Sequence, residues 1–161
     1  MSEIAPETLS EFQQLLDKRC LTDAESAQHY GLDWTRFWAP APGCVLMPET
    51  AGEVQAIVRI ANEHGVALVP SGGRTGLSGG AVAPNGEAVV AFDRMNHILE
   101  FNPYNRAVRI EPGVITEQLQ DYAEEQGLFY PVDFASAGSS QMGGNINTNA
   151  GGIQVIRYGM T

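Results

Sequence analysis

The sequence predicts an α+β fold in which a small βαβ unit is followed by a β-hairpin and further helices. Three observations carry this expectation. Two short apolar runs flank a helix of period 3.6 within residues 43–69. Asn102-Pro103-Tyr104-Asn105 separates two further apolar runs. A capped amphipathic segment begins at Thr116.

The elements are expected in the following order. Residues 7–19 place Leu9, Phe12, Leu15 and Leu16 on one helical face. Residues 22–42 read as an irregular arm whose Tyr30, Trp34, Phe37 and Trp38 supply burial. Residues 44–47 form a buried strand. Thr50 caps the next helix, with Glu53 in the capping-box position. Val54, Ile57, Val58 and Ala61 give its inner face, and Gly65 ends it. Strand 66–69 completes a parallel βαβ unit. Residues 88–92 are another buried strand. Strands 98–101 and 107–111 flank a type I turn. Thr116 caps a helix with Leu119, Tyr122 and Ala123 inward, ending at Gly127. Beyond Pro131 the chain is small and polar, with no element expected.

Composition narrows the function. The 161 residues suit one domain able to bury roughly two-thirds of its unfolded surface. A formal charge of −10 with one lysine, Lys18, argues against nucleic acid or anionic lipid as partner. No apolar run reaches bilayer length, and residues 1–10 carry no secretory signal pattern. Cys20 and Cys44 form no CxxC, so a reducing, cytoplasmic location is expected. His29, His64 and His97 show no metal-ligand spacing, so no metal site is expected. His97 reads as structural.

The acids are unevenly placed. All 19 lie outside residues 64–86 and 134–161. Within those windows, residues 71–80 and 138–152 together hold ten of the 18 glycines. Gly-rich backbone can aim its N–H groups at an anion, and neighbouring carboxylates would repel that anion. A P-loop needs Gly-Lys, and the lone lysine is Lys18. A Rossmann fingerprint needs two glycines at i and i+2, and no pair has that spacing. Gly76-Leu77-Ser78-Gly79-Gly80 matches G-x-S-x-G, but leads to a strand and not directly to a helix. What remains is a strand followed by five glycines in residues 71–80. Ser71, Thr75 and Ser78 could add hydroxyl donors there, and Arg74 a charge.

Two long motifs, residues 70–80 and Gly138 to Gly152, occur in order with Arg94-Met95-Asn96 and Glu111-Pro112-Gly113-Val114 between them. On these motifs the chain resembles FAD-linked oxidases of the vanillyl-alcohol oxidase / p-cresol methylhydroxylase type. It is most similar to the branch of glycolate, D-lactate and D-2-hydroxyglutarate dehydrogenases. The resemblance covers residues 8–161. It implies the FAD-binding domain of the p-cresol methylhydroxylase type: a small βαβ-containing subdomain, then the start of a second mixed or antiparallel sheet subdomain with helices. Residues 1–42 would be an N-terminal helix and arm, and 43–161 the FAD-binding domain.

The resemblance implies roles as well. Pro70, Ser71, Gly72, Gly73, Arg74, Thr75, Gly76 and Leu77 match the loop that holds the FAD pyrophosphate, largely by backbone N–H. Ser139, Gly143, Gly144 and Asn145 match a second clamp near the ribityl–phosphate part. Thr148, Asn149, Ala150 and Gly151 match the stretch beside the flavin ring. For Asn147 simple turn-making is preferred. No histidine lies in residues 70–80, so non-covalent FAD is expected. The parent would be a 2-hydroxy-acid dehydrogenase passing hydride from the substrate α-carbon to flavin N5. Family members are much longer, so this chain is expected to be the N-terminal part, without the substrate domain and catalytic residues. The alternatives are an inactive fragment that binds FAD weakly or not at all, and a non-redox nucleotide-binding module.

Overall fold

The computed structural model describes residues 4–161. The sequence reading for the leader includes Met1, Ser2 and Glu3, which lie outside the described residues. The chain divides into two compact units, one reaching Arg94 and one spanning Met95–Thr161.

The first unit is a four-stranded sheet of order β1-β2-β4-β3: β1 (Cys20–Leu21), β2 (Cys44–Leu46), β3 (Leu68–Ser71) and β4 (Ala88–Ala91). β4 inserts between the two strands of the expected βαβ unit and pairs parallel with both; β1 is antiparallel to β2. The strands read as continuous apolar runs because both sheet faces are covered. Cys44, Leu46, Ala88 and Val90 point to one face, against Phe12 and Leu16 of α1 (Pro6–Leu16) and Ile57 and Ala61 of α3 (Ala51–His64). Val45, Val89 and Ala91 point to the other, with Met47 and Ala83. The period of two thus sorts alternate residues into two cores.

Local signals explain the helix ends. The Thr50 hydroxyl accepts the Glu53 N–H at 3.2 Å, and Gly65 closes α3 in the left-handed region at φ 66°. The N-terminal helix stops at Leu16 and tightens into a 3₁₀ turn at Asp17–Arg19, a little short of the expected end. It packs into the sheet core and is not a separate segment. The arm holds a helix that its sequence did not announce, α2 (Ala24–Tyr30), capped by Asp23.

One boundary moved with consequences for function. Strand 66–69 was expected; the observed β3 runs to Ser71, because parallel pairing continues through Pro70↔Val90 and Ser71↔Ala91. β3 is an edge strand, where a proline is tolerated. Residues 72–87 then form the whole crossover from β3 to β4 without a helix. A long crossover of irregular backbone is uncommon in a compact domain and points to a binding role.

The second unit begins with an antiparallel hairpin, β5 (Ile98–Asn102) and β6 (Ala107–Ile110). Asn102 Oδ1 accepts the N–H groups of Tyr104 at 3.0 Å and Asn105 at 3.4 Å, which sets the turn. Helix α4 (Thr116–Glu125) lays Leu119 on a core of Val114 and Met142, backed by Ile98, Val108 and Ile110. Thr116 was expected as its cap. It is instead the first helical residue and fully buried, since its hydroxyl is engaged by Ser140 at 2.7 Å. The tail also differs from expectation, forming α5 (Met142–Asn147) and α6 (Val155–Tyr158). Glycines and asparagines give little helical signal, and both helices are short.

Candidate functional site

The first glycine stretch lies in the first unit, at the carboxyl end of β3. Pro70 and Ser71 belong to the strand and not to the irregular loop after it. The Ser71 hydroxyl is buried and donates to the Tyr30 carbonyl at 3.0 Å, so it is not a loop donor. From Gly72 the backbone turns away. Among the described residues, none of the N–H groups of residues 72–78 is donated within the protein; Gly79 is the next to be donated. A run of backbone donors with no protein acceptor must meet water or a ligand. No acid occurs among residues 72–78.

Arg74 does not present its charge outward. It occupies the left-handed region at φ 58°. Its guanidinium donates to the Gly72 carbonyl at 2.7 Å, and to Asp93 at 3.1 and 3.3 Å. It also lies 4.9 Å from the Tyr30 ring centroid. Arg74 therefore shapes the loop, folding it back on β4's end. Thr75 is half-buried, whereas Gly76 and Leu77 are exposed.

The arm runs beside the far half of this loop. Ala83 N–H donates to the Gly31 carbonyl, Ala41 N–H to the Ala83 carbonyl, and Trp34 N–H to the Gly76 carbonyl at 3.2 Å. Asp33 is 1 % exposed, and its carboxylate accepts three hydrogen bonds: Gly79 N–H at 2.9 Å, Thr35 N–H at 3.0 Å and the Thr35 hydroxyl at 2.6 Å. Burial alone would push this carboxyl up, but the Thr35 hydroxyl and the Gly79 and Thr35 amides outweigh it and hold it below its ordinary value. It stays an anion. The arm aromatics were expected to be buried; Trp34, Phe37 and Trp38 are instead 68 %, 78 % and 52 % exposed. The arm is held by backbone bonds and Asp33, so its rings need not pack inward.

The second stretch lies in the second unit and is a different kind of structure. Its amides are mostly used internally. Gly143 N–H donates to the Pro112 carbonyl at 2.8 Å, Asn145 N–H to Gln141, Thr148 N–H to Gly144, Asn149 N–H to Ile146 and Ala150 N–H to Asn145. The Asn145 side chain is also engaged: Nδ2 donates to Thr116 Oγ1 at 2.7 Å within a buried group with Ser140. Beside it Gln141 buries Oε1 with no hydrogen-bond partner. Gly143 is glycine for packing, because a Cβ there would sit 2.7 Å from Pro112 Cβ. Among the described residues Gly144 and Gly151 keep undonated N–H groups. Ser139, Gly144, Thr148 and Asn149 are exposed.

Sequence reasoning missed Asp33 and Thr116. Neither stands in a motif, and each acquires its role from a partner 46 or 24 residues away. His97 donates its N–H to Glu111 Oε2 at 2.9 Å and sets its ring beside the same oxygen, which secures the start of the hairpin. Glu11, Glu63 and His64 bring potential ligand atoms within 4.8 Å on the first unit's surface, an arrangement common without a metal.

The residues present fit a phosphate-bearing group in the first loop: free amides, no acid, and glycines that let backbone approach. Residues 42–161 match the family described as FAD binding domain. D-2-hydroxyglutarate dehydrogenase of Stutzerimonas stutzeri (strain A1501) is 62 % identical over 157 residues, 97 % of this chain and 34 % of that protein. D-lactate dehydrogenase of Anaerostipes hadrus is 37 % identical over 161 residues, 99 % of this chain and 34 % of its own length. The chain spans about a third of the length of these curated relatives. Among solved structures, an alkyldihydroxyacetonephosphate synthase aligns with a TM-score of 0.85 at 23 % identity, covering 97 % of this chain and 34 % of that one. A p-cresol methylhydroxylase with substrate bound aligns at 0.72 and 24 %, covering 90 % and 29 %. At such identities these two establish the fold, which is the one the motifs implied.

Proposed function

The chain belongs to the family of FAD binding domains, and from that premise we propose that it is the FAD-holding part of a flavin-dependent dehydrogenase acting on a 2-hydroxy acid. Relatives named D-2-hydroxyglutarate and D-lactate dehydrogenase support the substrate class. When bound, FAD would supply the two-electron acceptor for oxidation of the hydroxy acid. The chain's own work is to bind and orient that cofactor.

The observation that carries the reading is the run of undonated N–H groups at residues 72–78, in a stretch without acids. Gly72, Gly73, Arg74, Thr75, Gly76 and Leu77 hold the pyrophosphate, by amides throughout, with Arg74 setting the loop's shape. Ser139, Gly143, Gly144, Asn145, Thr148, Asn149, Ala150 and Gly151 are proposed as the second unit's contribution to holding FAD. Of these, Ser139, Gly144, Thr148 and Asn149 have the exposure such contacts need. Residues 70–80 contain no histidine, so this loop offers no imidazole for a covalent flavin link.

The test is a titration of the chain with FAD, read by flavin absorbance of the retained complex. Gly73→Asp places a carboxylate among the phosphate-facing amides and is expected to weaken FAD by at least tenfold. Equal retention by this variant and the wild type removes the pyrophosphate role.

A further inference from the structure

We propose that Asp33, in the arm outside both motifs, is a positioning residue that fixes the far end of the phosphate loop. The inference rests on the FAD reading of residues 72–78. Its starting point is that hydrogen bonding in the loop changes at one residue. The amides of residues 72–78 are undonated, and Gly79 N–H is turned to Asp33 Oδ2. Asp33 therefore marks where the cradle ends. Two further ties act on the same half of the loop: Trp34 N–H donates to the Gly76 carbonyl, and the Trp38 ring lies 3.2 Å from the position a Cβ would take at Gly79. Holding the Gly76 carbonyl on the arm side keeps that acceptor away from an anion in front of the loop.

The carboxylate is matched to its task. It receives three donors and is almost wholly buried, so only a group with acceptors alone satisfies the site. An amide of the same shape would set an N–H₂ group against the Gly79 N–H or the Thr35 donors. A glycine-rich crossover without this anchor samples many conformers, and a ligand would then bind only the fraction in which the amides converge. Asp33 acts through the loop and does not touch the ligand.

The experiment compares four proteins, each the full chain: wild type, Asp33→Asn, Thr35→Val and Ile57→Val. FAD and ADP are titrated into each, followed by quenching of the two tryptophans, both of which lie in the arm. Backbone hydrogen exchange is followed in parallel. Asp33→Asn is expected to weaken FAD and ADP by a similar factor of ten or more, since both carry the pyrophosphate. Exchange should quicken at Gly79 and Trp34, whose amides are donated across this contact, and stay unchanged in α3. Thr35→Val removes one of three donors and should lie between wild type and Asp33→Asn. Ile57→Val loosens the core of the same unit and should lower the melting temperature while leaving both affinities within twofold. A folded Asp33→Asn chain that binds FAD and ADP within twofold of wild type overturns the proposal. If that variant does not fold, Thr35→Val decides, and wild-type affinity in it is equally fatal. Failure of this inference is distinguishable from failure of the FAD reading. In the first case Gly73→Asp still weakens binding by at least tenfold; in the second it does not, or the wild type binds neither ligand, and both fall together.

Discussion

The pair Arg19–Glu53 ties the entry to β1 onto the start of α3, and its contribution can be worked out. The contact is bidentate: Arg19 Nη1 donates to Glu53 Oε2 at 2.8 Å, and Nη2 to Oε1 at 2.6 Å. Glu49 N–H adds a third bond to Oε2 at 2.7 Å, and Arg19 also donates to the Met47 carbonyl at 3.2 Å. Hydrogen bonding to Arg19 brings the Glu53 carboxyl from 4.5 down to about 2. At ~1.36 kcal/mol per pH unit this corresponds to about 3 kcal/mol of linked stability. Arg19 and Glu53 keep 20 % and 19 % of their side-chain surface in water, so screening reduces what a substitution loses. We expect Glu53→Gln to cost about 1–2 kcal/mol at pH 7. The folded value lies below the unfolded one. The contribution is therefore complete above about pH 4.5 and is lost as pH falls toward about 2. Urea unfolding of both proteins across pH 2–7 checks this. The gap should close toward the acid end. A gap of the same size at both ends refutes the electrostatic origin, and no gap at pH 7 refutes the contribution itself.

Two substitutions in the second unit separate packing from hydrogen bonding there. Gly143→Ala puts a methyl 2.7 Å from Pro112 Cβ and 3.1 Å from its backbone, and should cost about 1–3 kcal/mol through overpacking; an unchanged thermal midpoint contradicts the close approach. Asn145→Ala removes the donor to Thr116 Oγ1 and leaves a cavity beside Ser140, for about 1–3 kcal/mol. Its denaturation midpoint in urea should fall, and a Thr116→Val, Asn145→Ala double variant should lose less than the two single losses combined.

The predictions from local sequence succeeded where the physics is local. Thr50 and Glu53 announced the start of α3, and Gly65 its left-handed stop, because capping partners lie within one turn. Asn102 announced the hairpin for the same reason. The glycine stretch after β3 was legible as irregular backbone from its glycines, and its lack of acids is read from the sequence directly. Thr116 misled because its hydroxyl has a better partner across the unit than at its own helix end. Pro70 and Ser71 misled because a turn-forming residue was read without knowing that β4 would pair beside it.

What the sequence alone determined, then, is the set of elements with nearby partners and the chemistry of the first loop: amide donors, little side-chain hindrance and no repelling charge. Tertiary structure decided the rest. Strand order was settled by β4 slotting between β2 and β3, which no neighbouring residue signals. It turned the Arg74 side chain toward Asp93, and engaged the Asn145 amide inside the second unit. It also gave a buried acid in an otherwise unremarked arm the task of ending the cradle at Gly79. The physical reason is common to all of these. A hydrogen-bonding group takes the best partner within about 3 Å, and for these residues that partner lies far along the chain.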